Sequence, residues 1–209
     1  MAYKIKNIKN GITYVNALYE KMNTINFIRG QLEIHPSNKF SDILKLKNLT
    51  SINLSSPEID SVFITEQIFI EHAITISNSF SDILLQLINM ELLVRKYKEK
   101  DVTFTKIRKD IESNQRYLNL SHMLKELMES EERKYINAFT NKVKHENIIK
   151  KKSHLSSNEI NGPVICSFIK DDIPYDELDW KQVFSKIDII FKKAISIGIE
   201  IDETVLPKT

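Results

Sequence analysis

From Pro57 to Val94, apolar residues recur at the three- and four-residue spacing of an α-helix, and neither glycine nor proline interrupts the run after its first position. Ile64, Ile68, Ala73, Ile76, Phe80, Ile83, Leu84, Leu87, Ile88 and Val94 carry the pattern. Phe63, Phe69, Ile70, Leu85, Leu92 and Leu93 widen it beyond one face. A helix apolar on most sides belongs at the centre of a bundle or at a subunit interface. At 1.5 Å per residue, about 40 residues would span about 60 Å, a length at which a kink or break is the alternative to a single rod. Ser56 suits the N-cap, Pro57 the first helical position, and Glu58 and Asp60 the positive end of the helix dipole. Arg95, Lys96, Lys98 and Lys100 crowd the far end, where the dipole favours cations.

The remaining periodic segments are shorter. One runs from about Ile12 to Glu33, after Gly11 and before His35-Pro36-Ser37-Asn38. Residues 37–56 read as a loop with a short element at about Ile43–Leu49. Further helices are expected from about Thr103 to Met128, from Ser130 as N-cap to about Ile149, and from Leu178 to Ile197 with Gly198 as C-cap. In the last of these, Trp180, Val183, Phe184, Ile187, Ile190, Phe191, Ala194 and Ile195 share a face, with Trp180 as a packing anchor. Residues 150–178 hold Gly162, Pro163 and Pro174 without helical period, and the β-prone run Val164–Ile169 is expected to be a strand of a hairpin. The expected fold is all-α, a bundle of four to five helices with a short irregular or hairpin insertion before the last one. Residues 1–56 are expected as an N-terminal helix and loop packing on the core, and 57–209 as the bundle, with the insertion at about 150–178.

Thirty basic residues against 28 acidic ones leave a net charge of +2, so no whole-molecule field points to nucleic acid. One cysteine, Cys166, excludes a disulfide within the chain. Cys166, His154 and Asp171 match no zinc spacing, so no metal and no cofactor are expected. No apolar run approaches the roughly 18 residues of a membrane span, and no signal-peptide pattern is present, which implies a cytoplasmic protein without a membrane partner. The absence of a glycine-rich phosphate loop and of a Gly-x-Ser-x-Gly elbow argues against ATP hydrolysis and α/β-hydrolase chemistry. His72, inside the long apolar run, is expected to be a hydrogen-bonded core histidine.

Chemistry concentrates in the fourth helical segment. At 100° per residue Ile136, Phe139 and Val143 fall together, with Tyr135 nearby, as a core stripe. Asn137, Asn141, Lys144 and His145 fall on the opposite side, and Asn137, Asn141 and His145 repeat at four-residue spacing. Lys150, Lys151, Lys152 and His154 follow. From Arg133 to Lys152 seven lysines or arginines face one acid, Glu146, whereas Asp171, Asp172, Asp176, Glu177 and Asp179 form an acidic stretch. Lysines supply sequence-independent attraction for phosphate, and an imidazole exchanges protons near neutral pH, as attack by an RNA 2′-hydroxyl requires. The plain alternative is a solvated helix face followed by a lysine-rich loop.

The string Thr140-Asn141-Lys142-Val143-Lys144-His145 resembles the motif of the HEPN superfamily, in which an arginine and a polar residue precede a histidine by a fixed spacing. The Asn-x-x-Lys-His form, followed by a hairpin and a final helix, is similar to a group of bacterial HEPN-like proteins. Over about residues 57–197 the resemblance implies an HEPN-like bundle, and a homodimer with the site at a two-fold interface. It implies an RNA-directed protein, in its active form a metal-independent endoribonuclease of toxin or phage-defence type. His145 would be the catalytic acid or base, Asn141 its orienting partner, and Lys142, Lys144, Lys150, Lys151 and Lys152 the RNA-binding cations. A cognate protein partner or antitoxin belongs to the same expectation. The motif's arginine position holds Thr140. Lys144, or Arg108 or Arg116 from another helix, are the cations available to replace it. The alternative is a catalytically inactive helical dimerisation or partner-binding module.

Overall fold

The computed structural model describes residues 2–34, 57–145, 149, 151–155 and 160–205. The protein is mostly helical, with six α-helices and two small antiparallel sheets among those residues. The chain forms two compact units. One comprises Met1–Asn23, Ile76–Lys134 and Ile187–Thr209, and the other Thr24–Thr75 and Tyr135–Lys186.

Helix α1 (Ala2–Ile34) begins before Gly11, which the sequence placed ahead of the helix. An interior glycine costs about 1 kcal/mol relative to alanine, too little to stop a helix of 33 residues. The described helix runs to Ile34. The short element expected at Ile43–Leu49 and the cap expected at Ser56 lie outside the described residues.

Helix α2 (Pro57–Glu91) is one uninterrupted element of 35 residues, about 52 Å long at the standard rise. Proline at its first position donates no hydrogen bond, which the first turn does not need. The helix stops three residues before Val94, so the cations expected in its last turn lie beyond it. Leu93 N–H donates to the Ile88 carbonyl at 3.2 Å and Arg95 N–H to the Asn89 carbonyl at 2.7 Å, which satisfies two terminal acceptors. Val94 (φ 52°) and Arg95 (φ 58°) turn the chain away through the left-handed region. His72, expected in the core, is exposed. Ile70, Ala73 and Ile74 take the buried side there, and the width of the apolar stripe hid which face pointed outward.

The single helix expected over Thr103–Met128 is two. Helix α3 (Phe104–Glu112) is capped by the Thr103 hydroxyl, which accepts from Lys106 N–H at 3.4 Å. Ser113 and Asn114 then interrupt the helix. The Asn114 side chain accepts from Arg116 N–H at 3.0 Å, the local competition by which asparagine closes turns rather than helices. A short 3-10 turn (Gln115–Tyr117) leads into α4 (Leu118–Met128). Ser130 caps α5 (Glu131–His145) as expected, its hydroxyl accepting from Arg133 N–H at 3.3 Å.

Strands β1 (Lys151–Leu155), β2 (Ile160–Ile165) and β5 (Leu178–Asp179) form one antiparallel sheet in the order β1-β2-β5, and β3 (Phe168–Lys170) and β4 (Ile173–Tyr175) form a hairpin. The strand expected over Val164–Ile169 is therefore divided between β2 and β3, with Cys166 and Ser167 between them. Lys152 pairs with Val164 and Ser153 with Pro163, and the register shifts before Leu155. Pro163 sits one residue short of the β5 pairing, which covers only Val164 and Ile165, so its missing donor costs no ladder bond on that side. Asp171 (φ 51°) and Asp172 (φ 62°) close the β3–β4 hairpin as a two-residue left-handed turn.

Helix α6 (Trp180–Val205) is opened by a reciprocal cap. Asp179 Oδ1 accepts from Gln182 N–H at 2.8 Å, and Gln182 Oε1 accepts from Asp179 N–H at 2.9 Å. The helix passes through Gly198, expected as its C-cap, to Val205. Its buried face is Val183, Phe184, Ile187, Ile190, Ala194, Ile197 and Ile201, a regular three-and-four spacing. Ile195, expected on that face, lies one residue off it and is 48% exposed.

In the first unit Phe80, Leu84, Ile88, Ile107, Ile111, Leu120, Leu124 and Leu127 are buried, and Phe80 meets Phe191 edge-on at 5.0 Å. In the second, Tyr135, Phe139, Phe168 and Tyr175 form an aromatic cluster with centroids 5.0–6.1 Å apart. Such contacts add about 0.5–1.5 kcal/mol each beyond burial. Burial and the nearby Asp176 charge push the Tyr135 phenol well above its ordinary value. The cluster joins the middle of α5 to the β3–β4 hairpin.

Candidate functional site

Helix α5 sorts its residues by face. Ile136 and Phe139 are fully buried, Tyr135 and Ala138 nearly so, and Val143 is half-buried. Asn137 and Asn141 are half-buried, and Asn141 Nδ2 donates to Asn137 Oδ1 at 3.3 Å. Lys144 and His145 are exposed and Lys142 is half-buried, all three in the last turn. There the carbonyl end of the helix favours positive charge by about 0.3–1 kcal/mol per group. Among the described residues no hydrogen bond joins Asn141 to His145. The asparagine ladder therefore orients Asn141 toward Asn137 rather than toward the imidazole.

Thr140, at the motif's arginine position, is buried, and its hydroxyl donates to the Ile136 carbonyl at 2.8 Å. The position thus faces the interior. The arginines considered as replacements are engaged elsewhere. Arg108 Nε contacts Glu112 at 2.6 Å and its Nη1 lies 3.8 Å from Glu129. Arg116 donates to the Thr204 carbonyl. Arg133, at the start of α5, is buried and donates from Nε to Ser81 Oγ at 3.0 Å. Its guanidinium is pulled below its ordinary value by burial, against the opposing charge of Asp82.

Lys151 and Lys152 occupy the first two positions of β1. Lys150 lies outside the described residues. The chain therefore brings Lys142, Lys144 and His145 together on one turn and places two further lysines in the strand that follows in sequence. Cys166 is a half-buried free thiol, and among the described residues no group of three histidine, cysteine or acidic side chains could hold a metal. No described helix is long and apolar enough to cross a membrane.

Sequence reasoning missed a second concentration of charged and polar groups. The run Arg95, Lys96, Lys98, assigned to a helix end, lies in the loop after α2 and borders a cleft with Tyr14 and Glu99. The signal that could have found it is Asn89, a buried amide two residues before the helix stops.

No protein-family model, curated protein or solved structure matches the chain.

Proposed function

We propose that this is an HEPN-like, RNA-directed helical protein whose contact surface is the last turn of α5. The observation that supports this reading most directly is the gathering of Lys142, Lys144 and His145 on that turn, with Lys144 and His145 exposed. A phosphate backbone held there meets cations that the helix dipole already favours. In a cutting form of the protein, His145 moves the proton in attack by the RNA 2′-hydroxyl on its own phosphate, and no metal takes part. The setting is cytoplasmic, of toxin or phage-defence type, with a cognate protein partner. A homodimer belongs to the same proposal. Ile64 and Ile68, one turn apart on α2, remain 55% and 57% exposed, and a second copy would cover them.

Purified protein incubated with transfer RNA and total RNA, with and without chelator, tests the reading beside the His145→Ala protein. The expected result is binding that weakens steeply with salt, a salt slope reduced by about one in Lys144→Ala, and chelator-resistant cleavage that His145→Ala abolishes. Cleavage unchanged by His145→Ala removes the assigned residue. No RNA binding at low salt removes the RNA reading altogether. Light scattering that returns the monomer mass of 24.4 kDa across micromolar concentrations overturns the dimer.

The burial of Thr140 favours a second reading, a helical partner-binding module without catalysis. With threonine turned inward at the arginine position, the turn offers no cation there to stabilise charge developing on a phosphate. RNA binding without cleavage, or partner binding without RNA, is its expected signature.

A further inference from the structure

The loop that follows α2 builds a cleft of about 720 Å³ within the first compact unit. Val94 and Arg95 are held in the left-handed region, which is an outlier for a β-branched residue. The backbone bonds to Ile88 and Asn89 hold them there, and the Asn89 carboxamide holds Tyr97 just beyond. Strain maintained by surrounding bonds collects at functional sites. Its effect here is to set Arg95 and Lys98 on the cleft wall with Tyr14, Gln86 and Glu99.

We propose that this cleft binds a nucleoside phosphate. Its groups match the three chemical parts of such a ligand. Among the described residues no carboxylate lies within ion-pair distance of Arg95 or Lys98, so both cations are open to a phosphate. Lys96 is committed to Asp110 at 2.6 Å and is not counted. Tyr14 is half-buried and offers a ring against which a base can stack. The Glu99 carboxylate suits ribose hydroxyls, since its contact with the Tyr14 hydroxyl is long, at 3.5 Å. Gln86 Nε2 donates to the Glu99 carbonyl at 2.8 Å, which leaves the Gln86 oxygen as a further acceptor. The carbonyl end of α2 would repel an anion. The Ile88 and Asn89 carbonyls are taken by backbone N–H groups, and the two cations outweigh what remains.

The cleft shares no residue with the α5 turn. The source of the ligand is either a free nucleotide or the phosphorylated end of an RNA strand. Titration calorimetry of the full chain with the four nucleoside monophosphates, adenosine and inorganic phosphate tests it. The expected result is saturable binding of a monophosphate, with adenosine and inorganic phosphate each weaker by about tenfold or more. Arg95→Gly removes the cation at a φ that glycine adopts without strain, and is expected to weaken the monophosphate by about tenfold or more. Lys98→Ala, at an exposed position, is expected to act in the same direction, and His145→Ala to leave binding unchanged. A 5′-phosphorylated RNA oligomer that displaces the monophosphate identifies a strand end as the source, and one that fails to displace it identifies a free nucleotide. No heat from any monophosphate up to about 1 mM, equal binding of adenosine and its monophosphate, or binding unaltered by both Arg95→Gly and Lys98→Ala overturns the proposal.

Discussion

The side chain of Asn89 is bonded twice to the backbone of Tyr97: Tyr97 N–H donates to Oδ1 at 3.1 Å, and Nδ2 donates to the Tyr97 carbonyl at 2.9 Å. One amide thus does for the loop what a neighbouring strand would do. Asn89 is buried, so neither bond is exchanged cheaply for water. Asn89→Ala is expected to destabilise the protein by about 2 kcal/mol, read as a lowered urea midpoint with an unchanged slope. A loss below about 0.5 kcal/mol would show that the loop holds its course without the clamp.

Two glycines should respond in opposite directions to the same substitution. Gly162 has φ +72°, and a Cβ there would stand 2.8 Å from Trp180 Cδ1 and Nε1. Gly162→Ala is expected to cost about 2 kcal/mol or more, from the left-handed backbone and the displaced indole. Trp180 is the only tryptophan, so a shifted emission spectrum reports the displacement directly. Gly198 lies inside α6 with nothing within 4 Å of an added Cβ. Gly198→Ala is expected to stabilise by about 0.5–1 kcal/mol. Thermal melts of the two variants on opposite sides of the wild type are the expected outcome.

Thr140→Arg, the substitution that would restore the motif's arginine, is expected to damage the fold before it can help catalysis. The position is 2% exposed, and a long cation there must either crowd the core or leave it. A loss of about 3 kcal/mol or more is expected, measured by denaturant unfolding beside RNA cleavage. A stable Thr140→Arg protein with raised cleavage would show that α5 can turn this face outward.

The Lys96 ammonium beside Asp110 holds that carboxyl below the usual carboxylate range. A carboxyl whose folded value lies below its unfolded one stabilises fully above the unfolded value, near 3.8, and loses that contribution as pH falls toward the folded value. Wild type is therefore expected to lose more stability than Asp110→Asn between about pH 5 and pH 2. Parallel acid limbs in the two proteins would remove Asp110 from the pH response.

The elements that the sequence marked most clearly are those with a chemical stop or start at the backbone. Pro57 and Ser130 carry local signals that no tertiary contact needs to supply. The errors have physical causes. Gly11 and Gly198 read as boundaries because glycine is a poor helix former, yet long helices with a packed face keep it inside. Asn114 was the cue for the break between α3 and α4, hidden inside a run whose apolar period continues on both sides. The Asp179–Gln182 cap was legible as an acid three residues before an amide. For the candidate site, the exposure of Lys144 and His145 follows from helical periodicity. The inward turn of Thr140 follows from the same period, four residues after Ile136, but the family resemblance drew that position into the site. The cleft beside Arg95 was invisible, since Tyr14 and Glu99 are 85 residues apart in the chain.

Strand β1 pairs with β2 alone among the described residues, which makes it an edge of the sheet as described. An open rim is a template on which a second chain can add itself and from which aggregates grow. The chain places Lys151 and Lys152 at the head of that strand. Lysine is a residue type that discourages such addition, because two approaching copies bring like charges together. Apolar residues in place of Lys151 and Lys152 are therefore expected to lower the solubility of the protein.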